Sequence, residues 1–264
     1  MPEETEARVI TGNANTPDRT TIEAARRVCD RLNNLEFKPL RRPLYRPAIG
    51  RSENEVRWAL RVFACPSLSL FRNLLDEFLI AYDQRLEGAC FMLARGMLEV
   101  VAITNYVCQL AEPLVELKRW DRAWDEVLRR ASMGSFYLKE HAPSFRSEHI
   151  LPLDVGKAIK SLASIVPEGM QADNGYLSEL CHPCSLSLMR YVDVGENGAN
   201  FQGGRQFDSR ELEYALGITI AIAALSYNRM LLLADLKTTL RRFAEAVHAF
   251  IADVDFATKR VTAP

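Results

Sequence analysis

One segment of the chain, Ala89 to Leu110, is apolar on nearly every side of a helix and spans about six helical turns. The only residues in it that carry a charge at neutral pH are Arg95 and Glu99. A helix that is hydrophobic all round is stable in water only when other elements cover it. The segment therefore predicts a central core helix, and the rest of the chain has to supply the elements that surround it.

Apolar residues also recur at helical spacing along most of the remaining chain. Capping residues and helix breakers predict the bounds of further helices. In the first half of the chain they predict a helix from Thr20 or Thr21 to Leu35, a helix that begins at the Ser52–Glu55 capping box and ends before Pro66, and a helix capped by Ser67 with a break at Gly88. Further helices are predicted after Pro113 to about Arg130 (with Trp120 and Trp124), from Asp154 to Val166, from Asp208 or Ser209 to Leu236, and from there to about Val254.

The strand signal of the chain is confined to residues 190–202. Arg190 to Val194 and Ala199 to Gln202 flank the turn sequence Gly-Glu-Asn-Gly, which predicts a small β-hairpin. The expected fold class is therefore all-α, a bundle of seven to nine helices with a hairpin insertion. We expect a single domain over residues 21–255, a disordered N-terminus over 1–20 and a flexible C-terminus over 256–264.

Charge and cysteine usage narrow the class of protein. The formal net charge is −1, so any affinity for nucleic acid has to come from a local patch. The six cysteines are spread through apolar helical segments, as reduced core residues are. The acidic, polar start of the chain is unlike a signal or transit peptide, and this predicts a cytoplasmic protein.

The segment from Leu212 to Ala234 is long enough to cross a membrane. Glu213, Asn228 and Arg229 interrupt it, and each charge would cost about 2.5–3.5 kcal/mol at the centre of a bilayer. We therefore predict a buried core helix and no membrane partner.

A local basic patch follows the first predicted helix. Between Lys38 and Arg51 the chain has three prolines and five basic residues without an acidic one, which predicts an extended basic arm. The arm is interpreted either as a connector that covers the fold or as a contact for RNA or phosphate. In the second case the candidate nucleic-acid-binding residues are Arg41, Arg42 and Arg46.

Two sets of residues are candidates for chemistry. Arg95 and Glu99 have the i, i+4 spacing that places them on one helix face, either as an internal salt bridge or as part of a site. Tyr176, Ser178 and His182 form a compact polar cluster further along the chain. Its histidine is interpreted either as a structural, hydrogen-bonded group or as a general base.

These same segments resemble a bacterial all-α family of uncharacterised function, whose members carry an Arg-x-x-x-Glu helix and a later Leu-Ser-x-x-x-His segment. Such proteins look distantly like the HEPN helical bundles, some of which are metal-independent ribonucleases and toxins of phage defence. The HEPN nuclease motif is an arginine followed four to six residues later by histidine. His182 has no such arginine upstream, and Arg242 with His248 satisfies the count in a terminal amphipathic helix where chance explains it.

The resemblance implies a helical protein that binds or acts on RNA, in phage defence or toxin-type regulation. The implied catalytic set is Arg95, Glu99, Tyr176, Ser178 and His182. No cofactor or metal is expected, and the candidate partners are RNA and a second copy of the chain. A non-enzymatic interaction module with a buried polar network is the first alternative.

The second alternative is a thiol oxidoreductase. Cys181-His-Pro-Cys184 has the Cys-x-x-Cys spacing of a redox pair and resembles the AhpD family of all-α proteins. In that family a histidine follows four residues after the second cysteine, whereas position 188 here is Leu. We expect both thiols to be buried and reduced, because the flanking leucines predict an inward-facing segment.

Overall fold

The computed structural model describes residues 19–35, 50–133, 153–162, 192–195, 198–201 and 209–253. Most of these residues are helical, which confirms the all-α class. Seven helices occur in this part of the chain: α1 (Arg19–Asn33), α2 (Glu53–Asp83), α3 (Glu87–Glu116), α4 (Trp120–Arg122, Ala123–Leu128 and Arg129–Met133 in succession), α5 (Val155–Leu162), α6 (Ser209–Leu233) and α7 (Lys237–Asp253).

The apolar segment around Ala89 to Leu110 is the centre of the bundle, as its composition predicts. It belongs to α3, which packs against α2, α4, α5 and α6. Ala94, Met97 and Val101 on this helix are completely inaccessible to solvent. Burying such side chains is the main favourable contribution to folding.

A second layer forms where α1 and α7 pack against each other and against α6. The Tyr227 ring of α6 joins the two layers, because its centroid lies 5.8 Å from that of Phe71 on α2 and 5.5 Å from that of Phe243 on α7. Aromatic pairs prefer such tilted and edge-on arrangements. The tyrosine thereby fixes how three helices meet.

Pro66 lies inside a helix, where the sequence predicts an end. The capping box at Ser52 and Glu55 begins α2 as expected, but the helix continues through Pro66 to Asp83. A proline removes one backbone hydrogen bond and crowds the preceding turn. Leu60 and Leu68 on either side of Pro66 are fully or almost fully buried. We attribute the continuity of α2 to this packing, so the predicted boundary at Pro66 is wrong.

The break between α2 and α3 falls at residues 84–86 rather than at Gly88, which lies in the first turn of α3. The chain reverses at Arg85, whose φ of 56° lies in the left-handed region. The Leu86 N–H donates to the Ala81 carbonyl and the Arg85 N–H to the Tyr82 carbonyl, which is the Schellman ending of a helix. Helices α3 and α6 end in the same way at Lys118 and Asp235.

The tryptophan helix also differs from the expectation. Helix α3 continues through Pro113 to Glu116, and α4 begins only at Trp120. Residues Ala123–Leu128 of α4 form a wider π-helical turn, with Trp124, Val127 and Leu128 buried against α2 and α3. The predicted helix therefore exists, but it starts later than predicted and contains a π-helical turn that no sequence pattern predicts.

Two four-residue strands are described between residues 192 and 201, and the predicted hairpin insertion over residues 190–202 stays a prediction. Strand β1 (Val192–Gly195) pairs antiparallel with β2 (Gly198–Phe201), with Val192 opposite Phe201 and Gly195 opposite Gly198. The bundle itself is built from the helices.

Helix α3 and residues Arg210–Leu233 of α6 are long and apolar enough to cross a membrane by length and composition alone. However, 56% and 61% of their most apolar windows are buried inside the fold. Core helices of soluble proteins have the same length and composition, so these two helices are only weak evidence for a membrane span.

Candidate functional site

Arg95 and Glu99 form an ion pair on the outer side of α3, with 2.9 Å between the Arg95 Nε and a Glu99 carboxylate oxygen. Their side chains are 28% and 33% exposed. The i, i+4 contact follows the prediction, but the complete burial that the apolar segment suggests does not occur, because only one side of α3 faces the core at this level. The pair is therefore partly accessible to a ligand, and it contributes little to stability at this partly exposed position.

The other residues of the predicted sites lie outside the described residues. These are Tyr176, Ser178 and His182 of the polar cluster, Cys181 and Cys184 of the redox alternative, and Arg41, Arg42 and Arg46 of the basic arm. The implied catalytic set that includes both Arg95 and His182, and the expected burial of Cys181 and Cys184, thus stay predictions.

Four cysteines outside the Cys-x-x-Cys segment are buried and not disulfide-bonded: Cys29, Cys65, Cys90 and Cys108. Burial raises the pKa of the Cys90 and Cys108 thiols to about 12 and that of Cys29 to about 11, in the last case with help from the neighbouring Asp76 carboxylate. A thiol with so high a pKa is protonated at neutral pH and unreactive. These four side chains are therefore core residues.

An open cleft lies between α1 and α7. It has a volume of about 770 Å³ and is lined by Arg31, Asn34, Arg242 and Glu245. The Arg31 guanidinium donates a 2.7 Å hydrogen bond to the Glu245 backbone carbonyl, which holds it at the junction of the two helices. The Glu245 carboxylate lies 3.8 Å from Arg241, an exposed neighbour on the same helix.

Two arginines and one glutamate line the cleft, so positive charge is in excess there. Within the described part of the chain no ion pair joins Arg242 to a carboxylate, and Arg31 is bonded there to a neutral carbonyl. Two guanidinium groups therefore lie at one cleft beside the Glu245 carboxylate, while the Asn34 amide nitrogen donates to the Asp30 carbonyl at 2.9 Å. Guanidinium N–H donors are suited to phosphate oxygens. The volume is in the range of small-molecule sites and admits a nucleotide unit.

Sequence reasoning missed this cleft. Arg31 is in the last turn of α1 and Arg242 lies far along the chain in α7, so no local motif joins them. His248, which follows Arg242 by six residues and so has the HEPN spacing, is exposed on α7. Six residues correspond to about 240° around a helix, so the two side chains leave α7 on different sides. The sequence feature that suggests a phosphate-binding surface is the basic arm, which begins at Lys38, three residues after Leu35.

The C-terminal end of the basic arm is anchored to α4. Gly50 has a φ of 79° and approaches Asp121 closely, while the Arg51 N–H donates a 2.7 Å hydrogen bond to the Asp121 carboxylate. The Arg51 guanidinium lies 4.2 Å from the centroid of the Trp124 ring, a cation–π contact, and 3.0 Å from a Glu55 carboxylate oxygen. Arg51 is thus held in place by three contacts.

Glu55 connects this anchor to the start of α2. Burial alone would raise the pKa of its carboxyl group, but hydrogen bonds from the Ser52 backbone and from the Arg51 and Ser52 side chains lower that pKa below its ordinary value. Glu55 is therefore charged in the folded protein, and its hydrogen bonds fix the start of α2.

A polar network crosses the interface of α3 and α6. The Arg229 guanidinium contacts a Glu112 carboxylate oxygen at 2.6 Å and the Asn105 side-chain oxygen at 3.2 Å. The Asn105 side-chain nitrogen and the Ser226 hydroxyl are buried without a hydrogen-bond partner among the described residues. Buried polar atoms of this kind are commonly satisfied by ordered water, and Arg229 with Glu112 keeps the outer end of the network open to solvent.

A separate hydroxyl cluster lies at the junction of α2, α3 and α6. The Ser67 hydroxyl is 2.8 Å from that of Thr104 and 3.0 Å from that of Tyr227. Burial raises the pKa of the Tyr227 phenol above its ordinary value. Because Tyr227 is enclosed by aromatic rings, this cluster orders the core rather than binding a ligand.

The described residues contain no group of three or more His, Cys, Asp or Glu side chains that could hold a metal ion. No family model matches the chain, and no curated protein and no solved structure matches it either. Fold and site together define a mainly helical protein with a cationic cleft between its first and last described helices.

Proposed function

We propose that this chain is a helical RNA-binding protein that contacts the phosphate backbone at the cleft between α1 and α7. The observation that supports the proposal is the pair of arginines, Arg31 and Arg242, at one cleft of nucleotide size. The basic arm and the resemblance to HEPN bundles favour RNA among polyanions. Phosphate contacts from Lys and Arg supply most of the affinity of such surfaces, whatever the base sequence.

Binding of a fluorescein-labelled single-stranded RNA of about 20 nucleotides, followed by fluorescence anisotropy, tests this function. Arg242→Ala should weaken binding about tenfold, which corresponds to about 1.4 kcal/mol. Because one phosphate contact is lost, the slope of log affinity against log salt concentration should become less steep by about 0.7. Arg242 is the better choice for substitution, because Arg31 also holds α1 to α7.

Arg122→Ala is the matched control. Arg122 is also exposed and lies on α4, where it pairs with Glu126. Its removal should leave RNA affinity within about twofold, as expected for a charge that contacts no phosphate. If wild-type protein does not bind RNA at low salt, or if the Arg122 and Arg242 variants lose equal affinity, the cleft is not an RNA site.

We further propose that the RNA is cleaved, with Arg95, Glu99, Tyr176, Ser178 and His182 as the reactive set. The partly exposed Arg95–Glu99 pair favours this second function, since a guanidinium that reaches solvent is suited to stabilise a phosphate that gains charge. His182 would accept the proton of the ribose 2′-OH as that oxygen bonds to the phosphorus. The bond from phosphorus to the 5′-oxygen would break, and the 5′-oxygen would leave with a proton from solvent. Denaturing gels of the same mixtures in EDTA should show cleavage by wild type and none by His182→Ala, whereas equal cleavage by both would assign the activity to another site or a contaminant.

A further inference from the structure

The cleft between α1 and α7 contains a carboxylate beside its two arginines. Glu245 lines the cleft together with Arg31 and Arg242. A carboxylate repels the oxygens of a phosphate and weakens the binding of a ligand that presents phosphate alone. The same carboxylate strengthens the binding of a ligand that carries a hydrogen-bond donor close to its phosphate. The combination of side chains therefore suits a ligand that has both groups.

The Glu245 carboxylate keeps its capacity to accept hydrogen bonds. Its ion pair with Arg241 has a separation of 3.8 Å, which is longer than a hydrogen bond, and the two side chains are 64% and 75% exposed. Such an exposed pair is worth little. A carboxylate can accept about four hydrogen bonds, and within the part of the chain that the structure describes no donor lies at hydrogen-bond distance from the Glu245 carboxylate oxygens. These oxygens are available to a ligand.

The backbone and the side chain of Glu245 have separate roles. Its backbone carbonyl accepts the 2.7 Å hydrogen bond from Arg31, so the contact of α1 with α7 does not depend on the carboxylate. Arg31 uses one Nη atom for this bond and keeps further N–H donors. Arg242 precedes Glu245 by three residues, a spacing that places both side chains on one side of α7. The cleft thus offers guanidinium groups to a phosphate and a carboxylate to a hydroxyl.

RNA presents these two groups side by side. Each ribose carries a 2′-hydroxyl on the carbon next to the one that bears the 3′-phosphate, and this hydroxyl can donate to a protein acceptor while the phosphate contacts an arginine. Deoxyribose has the phosphate and lacks the hydroxyl. DNA would therefore leave the Glu245 carboxylate unpaired beside a phosphate, and such an unpaired, repelling group discriminates against the wrong ligand.

We propose that Glu245 makes the cleft select RNA over DNA by accepting a hydrogen bond from a ribose 2′-hydroxyl. The inference rests on the RNA-binding function proposed above. It adds to that function a residue that recognises the sugar, whereas the two arginines contact phosphate whichever sugar is attached.

Fluorescence anisotropy with three fluorescein-labelled single strands of about 20 nucleotides, at one fixed salt concentration, measures this selectivity. The strands have the same bases, with uracil in all three, and differ only in the sugar: RNA, DNA and 2′-O-methyl RNA. The methylated sugar keeps the 2′-oxygen but cannot donate a hydrogen bond. The wild-type chain should therefore bind RNA about tenfold more tightly than either of the other strands.

Glu245→Ala should reduce the ratio of RNA affinity to DNA affinity to within about twofold of one, because it removes both the acceptor and the repulsion of unpaired phosphate. The substitution leaves the backbone carbonyl that holds Arg31, so the cleft keeps its shape. Circular dichroism verifies that the variant is folded.

Glu126→Ala is the matched control. Glu126 is also an exposed glutamate, and it pairs with Arg122 four residues earlier on α4, as Glu245 pairs with Arg241 on α7. Its removal changes the net charge by the same amount and should leave the ratio of RNA affinity to DNA affinity unchanged.

Three results would overturn the selectivity while leaving the RNA-binding function in place: a wild-type ratio of about one or less, an unchanged ratio in Glu245→Ala, or an equal change in Glu126→Ala. The second result is expected if Glu245 only repels phosphate, since RNA and DNA would then gain the same affinity when it is removed. A chain that binds none of the three strands at low salt overturns both proposals.

Discussion

At the scale of single residues, Gly50 shows how a backbone conformation fixes the end of the basic arm. Its φ of 79° is a conformation that a residue with a side chain reaches at a cost of about 1–2 kcal/mol. A β-carbon at this position would also lie 3.0 Å from an Asp121 carboxylate oxygen. We therefore expect Gly50→Ala to lower the free energy of unfolding by about 1–2 kcal/mol, measured by chemical denaturation.

Gly88→Ala is the control for this substitution. Gly88 lies in the first turn of α3, and nothing approaches within 4 Å of the position that a β-carbon would occupy. Alanine is the better helix former, so this variant should be more stable by up to about 1 kcal/mol. If both substitutions change the free energy of unfolding in the same direction, the strain assigned to Gly50 is absent.

Residue spacing predicted local contacts well and burial less well. The i, i+4 contact of Arg95 with Glu99 and the capping box of Ser52 with Glu55 are formed within one or two helical turns, so the sequence contains everything needed to infer them. The exposure of Arg95 was not predictable. It depends on which helix covers that side of α3, and periodicity identifies a face without identifying its neighbour.

At the scale of elements, the positions where helices end were the least predictable feature. The sequence suggests breaks at Pro66, Gly88 and Pro113, but α2 and α3 include all three residues. The actual ends lie at Arg85 and Lys118, which adopt the left-handed conformation usually given to glycine. The closing hydrogen bonds and the packing of the next helix compensate for the strain, and neither has a sequence signature.

The strained end of α3 leads to a prediction. Lys118 has a φ of 54°, and its N–H donates to the Val115 carbonyl in the Schellman ending. Glycine keeps this hydrogen bond and removes the steric cost of the side chain. Lys118→Gly should therefore raise the free energy of unfolding by up to about 1 kcal/mol, measured by chemical denaturation.

The same change inside a helix should have the opposite sign. Lys157 is an exposed residue of α5, and replacing it with glycine should cost about 1 kcal/mol because glycine loses more backbone entropy in a helix. If both variants are less stable than the wild type, the Lys118 side chain stabilises the fold by more than its left-handed backbone conformation destabilises it.

At the scale of the whole molecule, the cationic cleft arises from chain topology. Arg31 and Arg242 are brought together because α1 packs against α7, the first described helix against the last. No spacing rule connects residues so far apart in sequence, whereas the central position of α3 follows from its composition alone. The general fold was therefore predictable, while the cleft required the structure.

The arrangement of the bundle also determines how the chain should behave towards membranes. Although α3 and α6 are apolar enough to span a bilayer, α3 packs against α2, α4, α5 and α6, and α6 packs against α1, α2, α3 and α7. Insertion would separate them from these partners. It would also place Arg95 and Glu99 of α3 and Glu213 and Arg229 of α6 in hydrocarbon, at about 2.5–3.5 kcal/mol for a charge at the bilayer centre.

We therefore expect the purified chain to stay at the bottom of a density gradient when neutral phosphatidylcholine vesicles are floated through it. Arg229→Leu distinguishes the two environments. In the folded bundle it removes the contacts to Glu112 and Asn105, so it should lower the free energy of unfolding without promoting flotation. In a membrane-spanning α6 it would remove a charge from the lipid and increase flotation. Flotation of the wild type, enhanced in the variant, would mean that α6 enters the bilayer.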